Sequence, residues 1–136
     1  MRLSEEIKYK IEKLAEKYHF LMLVIFGSQA KGKTNSQSDI DLAYLSAEKL
    51  DLIEEARLVC DLMPVFKSEK IDLVNLAKAP PLLLKQIFDN HQILFCRDKK
   101  IYHTYQIYAL KKYLEAKPLF QLRSESLAKF LQTHVG

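Results

Sequence analysis

Cysteine is scarce: of 136 residues only Cys60 and Cys96 carry a thiol, far apart and in no CxxC pair. That spacing argues against a zinc site or a disulfide framework, so a reducing compartment is the simpler expectation. No apolar run reaches the roughly 18 residues of a membrane-spanning helix. The opening MRLSEEIKYK also lacks an apolar core of signal-peptide length. A soluble cytoplasmic protein with no membrane contact is expected. The glycine-rich phosphate loop GxGxxG does not occur. Positive charge is in slight excess, with 21 Lys and Arg against 17 Asp and Glu for a formal +4. Direct nucleic-acid binding is not expected, because it usually rests on a larger, clustered excess. An anionic small ligand or an acidic protein partner suits a mild excess equally well. Repeats, low-complexity segments and an interdomain linker are all lacking. Apolar residues are plentiful at 49%, enough for a core, and the length suits one domain over residues 1–136.

Hydrophobic spacing predicts a helix over 4–18, with Ile7, Ile11, Leu14 and Tyr18 on one face, Ser4 as its cap and Glu5 and Glu6 in its first turn. FLMLVIF (20–26) is a continuous apolar run of strand length, expected to be buried on both faces. Gly27-Ser28 ends it. A helical turn over 28–32 and a loop over 33–38 lead to a second strand, DIDLAYL (39–45). A helix is expected over 48–63, burying Leu52, Ile53, Ala56, Cys60 and Met63 and stopped by Pro64. KIDLVNL (70–76) reads as a third strand. Pro80 and Pro81 open a helix to about Asp89, and HQILFC (91–96) reads as a fourth, edge strand. A helical segment over about 99–133 follows, broken near Pro118, with a last helix from about Ser124. The fold class is α/β (α+β): a small mixed sheet of about four strands with helices packed against it.

Two acids sit inside the second strand. Strand side chains alternate, so Asp39 and Asp41 share a face while Ile40 and Leu42 face the core. Two like charges side by side repel. A divalent cation would offset that cost, and carboxylate oxygens suit Mg2+, which takes further ligands from substrate phosphates. Asp72, flanked by Ile71 and Leu73, repeats the pattern. If strand 70–76 lies beside strand 39–45, three carboxylates converge, enough for two ions. Each acid taken alone is equally an ordinary residue on the wet face of a strand.

Gly27 follows a buried strand, where glycine permits a tight turn and close approach of a ligand. N–H groups exposed at such a turn, with the Ser28 hydroxyl, can hold phosphate oxygens. Lys31 and Lys33 add positive charge. A lone Gly-Ser is also a plain strand-to-loop turn. The combination says more: strand, Gly27-Ser28, ten residues, Asp39-Ile40-Asp41, then Asp72 in a third strand.

GSQAKGKTNSQSDIDLAYL resembles the signature of the DNA polymerase β-like nucleotidyltransferases. It is most similar to the minimal, single-domain (MNT) members, among them the antitoxins encoded beside HEPN-domain toxins. The likeness covers about residues 1–96, the expected catalytic core. It implies that Asp39, Asp41 and Asp72 bind two Mg2+ ions, with Asp72 helping to deprotonate the acceptor. It implies that Gly27, Ser28 and Lys31 hold the phosphates of ATP. Many relatives carry Arg where Lys31 stands, and lysine lacks the bidentate fork. The implied activity is transfer of AMP from ATP to a tyrosine of a HEPN ribonuclease toxin. Two alternatives stay open: neutralisation by stoichiometric binding, and a small-molecule acceptor. The roughly 40 residues after Cys96 are few for the second domain that small-molecule relatives carry. Arg97, His103 and Tyr105 spell the R-x5-H-x-Y of HEPN ribonucleases, but the tail is far shorter than a HEPN bundle, so a coincidence is expected. Tyr102, Tyr105, Tyr108 and Tyr113 are expected to cover the sheet, or to dock a partner where exposed.

Overall fold

The computed structural model describes residues 2–27 and 39–135, apart from the side chains at positions 120 and 133–135. The expected turn at 28–32 and loop at 33–38 lie outside the described residues. Helix α1 (Glu5–Tyr18) starts where Ser4 accepts a hydrogen bond from the Ile7 N–H at 3.2 Å, with Glu5 and Glu6 in its first turn. It buries Ile11, Ala15 and Tyr18 and ends at His19, whose φ of 55° turns the chain directly into β1 (Phe20–Phe26).

Strand β1 is the axis of the sheet. It pairs antiparallel with β2 (Ile40–Ser46) on one side and with β4 (His91–Cys96) on the other, and β2 pairs parallel with β3 (Ile71–Asn75). The order β3-β2-β1-β4 puts β4 on an edge, as expected, and β3 on the other. A central strand faces apolar layers on both sides, so β1 carries no alternation of polar residues. Phe20, Leu23 and Ile25 enter one core cluster with α1 and α2 (Leu52–Phe66), and Met22 and Val24 the other with α3 (Pro81–Asp89) and α4 (Lys99–Val135). The register shift between Phe20 and Met22 accounts for Leu21 and Met22 both packing on the second side.

Helix α2 departs from expectation. It spans Leu52–Phe66, not 48–63, and Pro64 lies inside it. Its start is set by a reciprocal cap: the Glu54 N–H donates to Asp51 Oδ1 at 2.7 Å and the Asp51 N–H to Glu54 Oε1 at 3.2 Å. Its buried face is Leu58, Leu62, Val65 and Phe66, whereas Leu52 and Ile53 are 83% and 65% exposed. Stopping the helix at Pro64 left out Val65 and Phe66, the two residues that fix which side is buried. Pro64 cannot donate to the Cys60 carbonyl, but both residues are exposed, so water can take that bond. Burial of Val65 and Phe66 then carries the helix one more turn to Lys67, at φ 52°. Replacing Pro64 with alanine restores the missing donor, and the melting temperature is expected to rise by about 3 °C. A fall on thermal melting would show that the ring is needed there.

Leu76–Lys78 form one 3-10 turn, and α3 (Pro81–Asp89) opens with proline in its first position as expected. Helix α4 runs unbroken over Lys99–Val135, through Pro118, so the expected break and separate last helix are corrected. Leu114, whose carbonyl loses its donor to Pro118, is 55% exposed and open to water. The first turns of α4 pack on α3, β1 and β4 through Ile101, Tyr102, Tyr105 and Ala109.

Candidate active site

The three aspartates enter the sheet at one end. Asp39 immediately precedes β2, Asp41 is its second residue, and Asp72 is the second residue of β3. The parallel register sets Asp41 directly against Asp72, and the antiparallel register sets Phe26 against Asp41 on the other side. Ile40 and Leu42 pack into the α1–α2 cluster, so Asp41 projects from the opposite side of the sheet, the side on which Phe26 packs. Directly paired residues share a face. Asp72, Asp41 and Phe26 therefore form a transverse row across three strands.

Asp41 is half-buried, while Asp39 and Asp72 are exposed. Burial pushes the Asp41 carboxyl above the ordinary carboxylate range, and the negative charges of Asp72 and Asp39 push it the same way. The charges the sequence expected to converge thus do interact, with Asp41 in the middle.

Gly27 closes the site from the end of β1. Its φ is +76°, a left-handed conformation that side-chain-bearing residues rarely adopt. A Cβ built there would lie 2.9 Å from Asp41 Oδ2. Glycine therefore gives the carboxylate its room, and the strand-end turn and the acid pair touch as the spacing anticipated. Its own N–H donates to the Asn90 carbonyl at 3.3 Å. What Gly27 supplies is space and a turn. Ser28, Lys31 and Lys33 lie outside the described residues.

The donor set fits a divalent cation. Three hard carboxylates stand at one end of the sheet, near enough that burial and the charges of Asp72 and Asp39 raise the proton affinity of the central one. Among the described residues no three acidic, histidine or cysteine side chains are already gathered into a metal cage. Like charges on neighbouring strands repel and spread, which agrees with a site that completes its coordination from substrate oxygens and water rather than from protein alone.

One group at this end of the sheet escaped sequence reasoning. His91, the first residue of β4, pairs with Phe26 on the side away from Asp41 and lies 2.6 Å from the Tyr102 phenol through Nε2. No sequence pattern flags a contact across eleven residues between an edge strand and the helix after it. Of the R-x5-H-x-Y residues, Arg97 donates its backbone N–H to Leu21, His103 is exposed and Tyr105 packs on the second cluster.

Residues 9–100 match the family described as Polymerase beta, Nucleotidyltransferase. The chain is 32% identical over 120 residues to the protein adenylyltransferase MntA of Aphanizomenon flos-aquae, covering 82% of this chain and 80% of that relative. It resembles a chain in a crystal structure of a toxin–antitoxin with AMP-PNP, with a TM-score of 0.70 and 26% identity, covering 91% of this chain and 98% of that one. The fold also matches a chain of the MntA–HepT toxin–antitoxin crystal structure, at a TM-score of 0.73 and 23% identity, with 92% and 99% of the two chains covered.

Proposed function

Because the chain belongs to the Polymerase beta nucleotidyltransferase family, we propose that it is an antitoxin that transfers AMP from ATP, with Mg2+, to a tyrosine of a HEPN-domain ribonuclease toxin. The observation that carries this reading is Asp41, wedged between the charges of Asp72 and Asp39 and against the open face of Gly27. A fold that tolerates this repulsion for no gain in stability is holding the acids for chemistry. The relatives named as adenylyltransferases and the toxin–antitoxin likeness with AMP-PNP support both the donor and the class of partner. We read residues 1–136 as one minimal domain, with a catalytic core over about 1–96 and α4 as its appendage. A cytoplasmic location agrees with two free cysteines and with the lack, among the described residues, of a helix long and apolar enough to cross a membrane.

Asp39, Asp41 and Asp72 would hold two Mg2+ ions, which supply charge neutralisation and Lewis acidity at the α-phosphate. Gly27 leaves the polyphosphate room to approach, and Ser28 with the backbone after it would bind the β- and γ-phosphates, with Lys31 as a further cationic contact. Asp72, exposed at the start of β3, takes the proton from the acceptor hydroxyl. The freed oxygen bonds to the α-phosphorus, the bond from that phosphorus to the bridging oxygen breaks, and pyrophosphate leaves with the electron pair. The product is an AMP–tyrosine phosphodiester.

The test uses labelled ATP, Mg2+ and the protein encoded beside this one, which this reading expects to be the HEPN toxin. Label should move to the toxin, the toxin's ribonuclease activity should fall, and both effects should vanish in Asp39→Asn/Asp41→Asn. Toxin inhibition that survives in that variant, with no label moved, would establish stoichiometric binding instead.

A further inference from the structure

The pair formed by His91 and Tyr102 is not accounted for by the three aspartates or by Gly27. Nδ1 of His91 is 3.0 Å from the Phe88 carbonyl oxygen, which can only accept, so Nδ1 carries a proton and donates. That bond fixes the ring, and edge contact with Phe88 (centroids 5.3 Å apart) supports it. Nε2 then faces the Tyr102 phenol at 2.6 Å. Tyr102 belongs to the first turn of α4 and is held half-buried against Phe88 and the second core cluster.

The position matters more than the bond. Phe26 stands between Asp41 and His91 in the register, so the transverse row runs Asp72, Asp41, Phe26, His91. Two interstrand spacings separate Asp41 from His91, about 10 Å at Cα. Gly27 follows Phe26 and is tied to Asn90, the neighbour of His91. The His91–Tyr102 pair thus flanks the Gly27 turn on the β4 side, as the aspartates flank it on the β2 side. On the nucleotidyltransferase reading, a nucleoside triphosphate with its α-phosphate at the aspartates and its outer phosphates at Gly27 would extend toward this pair.

We propose that Tyr102 is a nucleotide-contacting residue, its phenol hydroxyl hydrogen-bonding the outer phosphates of the bound triphosphate, with His91 as the positioning residue that orients it. The inference rests on the nucleotidyltransferase reading above. Burial, and after it the Cys96 charge, hold the Tyr102 phenol above its ordinary range, so it keeps its hydrogen to donate. When the imidazole is neutral, that hydrogen goes to Nε2. When both ring nitrogens are protonated, Nε2 donates to the phenol oxygen, and the phenol hydrogen is released to a third partner. A polyphosphate oxygen is such a partner. Among the described residues, His103, whose ring lies 5.3 Å from that of Tyr102, and Cys96 are ionisable groups that bear on the pair.

Tyr102→Phe keeps the ring and its packing while removing the hydroxyl. It should raise KM for Mg-ATP about tenfold, leave kcat within about twofold, and weaken Mg-ATP binding in calorimetry to match. His91→Ala should weaken binding similarly, with partial recovery in His91→Gln, whose amide can still engage the phenol. A folded Tyr102→Phe that binds Mg-ATP as the wild type does, even with a lowered melting temperature, overturns the proposal and leaves the pair as a brace for α4. Wild-type protein that binds Mg-ATP but transfers no AMP overturns the transfer reading alone, and the calorimetric comparison still decides the role of Tyr102. Wild-type protein that binds no Mg-ATP overturns both.

Discussion

Asp41→Asn is expected to lower AMP transfer by on the order of 10³-fold, about 4 kcal/mol of transition-state stabilisation, while raising the melting temperature of the metal-free protein by about 2 °C. The two effects share one cause. Asp41 is the central carboxylate, half-buried and flanked by two like charges, and each of these conditions disfavours its ionised form in the folded state. Its folded pKa therefore lies above the unfolded one. Such a group contributes stability that is full below the unfolded pKa and is lost as pH rises through the folded pKa. At neutral pH the ionised Asp41 is a net cost to folding. Asparagine fills the same space with no charge, so the cost is removed together with the metal-binding oxygen. Mg2+ should then raise the melting temperature of the wild type and leave that of the variant unchanged, because a ligand stabilises only a fold that binds it. Thermal melting with and without Mg2+, run beside the transfer assay, checks all three outcomes. A large fall in stability would make Asp41 a structural residue, and transfer near the wild-type rate would move the chemistry elsewhere.

How much of this was legible in the sequence depended on whether a feature is local. Alternation placed Ile40 and Leu42 inward and Asp41 outward because a strand has period two and nothing remote can change it. The meeting of Asp41 with Asp72 was conditional on β3 lying beside β2, and the register then supplied it. Pro64 is a stop signal by residue type, yet α2 continues through it. A proline costs one hydrogen bond and some crowding, and where the orphaned carbonyl is wet, burial of Val65 and Phe66 outweighs it. Pro118 in α4 shares the wet carbonyl but not the burial, since every described side chain after it is exposed. The D-x-x-E that caps α2, Asp51 with Glu54, was readable and would have moved the start from 48 to 52. The His91–Tyr102 bond and the tie from Gly27 to Asn90 were not readable, because both depend on β4 returning beside β1.

Gly27 provides the sharpest separation of structure from chemistry. Gly27→Ala should destabilise the protein by only about 1–2 kcal/mol, the usual penalty for a side-chain-bearing residue in the left-handed region, yet lower AMP transfer by about 10²-fold or more. The added methyl meets Asp41 Oδ2 at 2.9 Å, closer than Cβ atoms pack. The atom it meets is the end of a short side chain, not backbone, so the carboxylate can swing aside and the fold survives. Swinging aside moves Asp41 from its place between Asp39 and Asp72, and a displacement of about 1 Å at a reacting centre is enough for a loss of that size. Because the damage passes through Asp41, the two changes should not add. In an Asp41→Asn background, Gly27→Ala should cost little further transfer, and the Mg2+-dependent rise in melting temperature should be lost to the same extent in the single and the double variant. Full additivity would mean that Gly27 acts on the nucleotide directly, through the backbone turn it permits. A Gly27→Ala protein that transfers AMP within about threefold of the wild type would mean that Asp41 can leave its observed position without consequence, and the site drawn from that position would have to be abandoned.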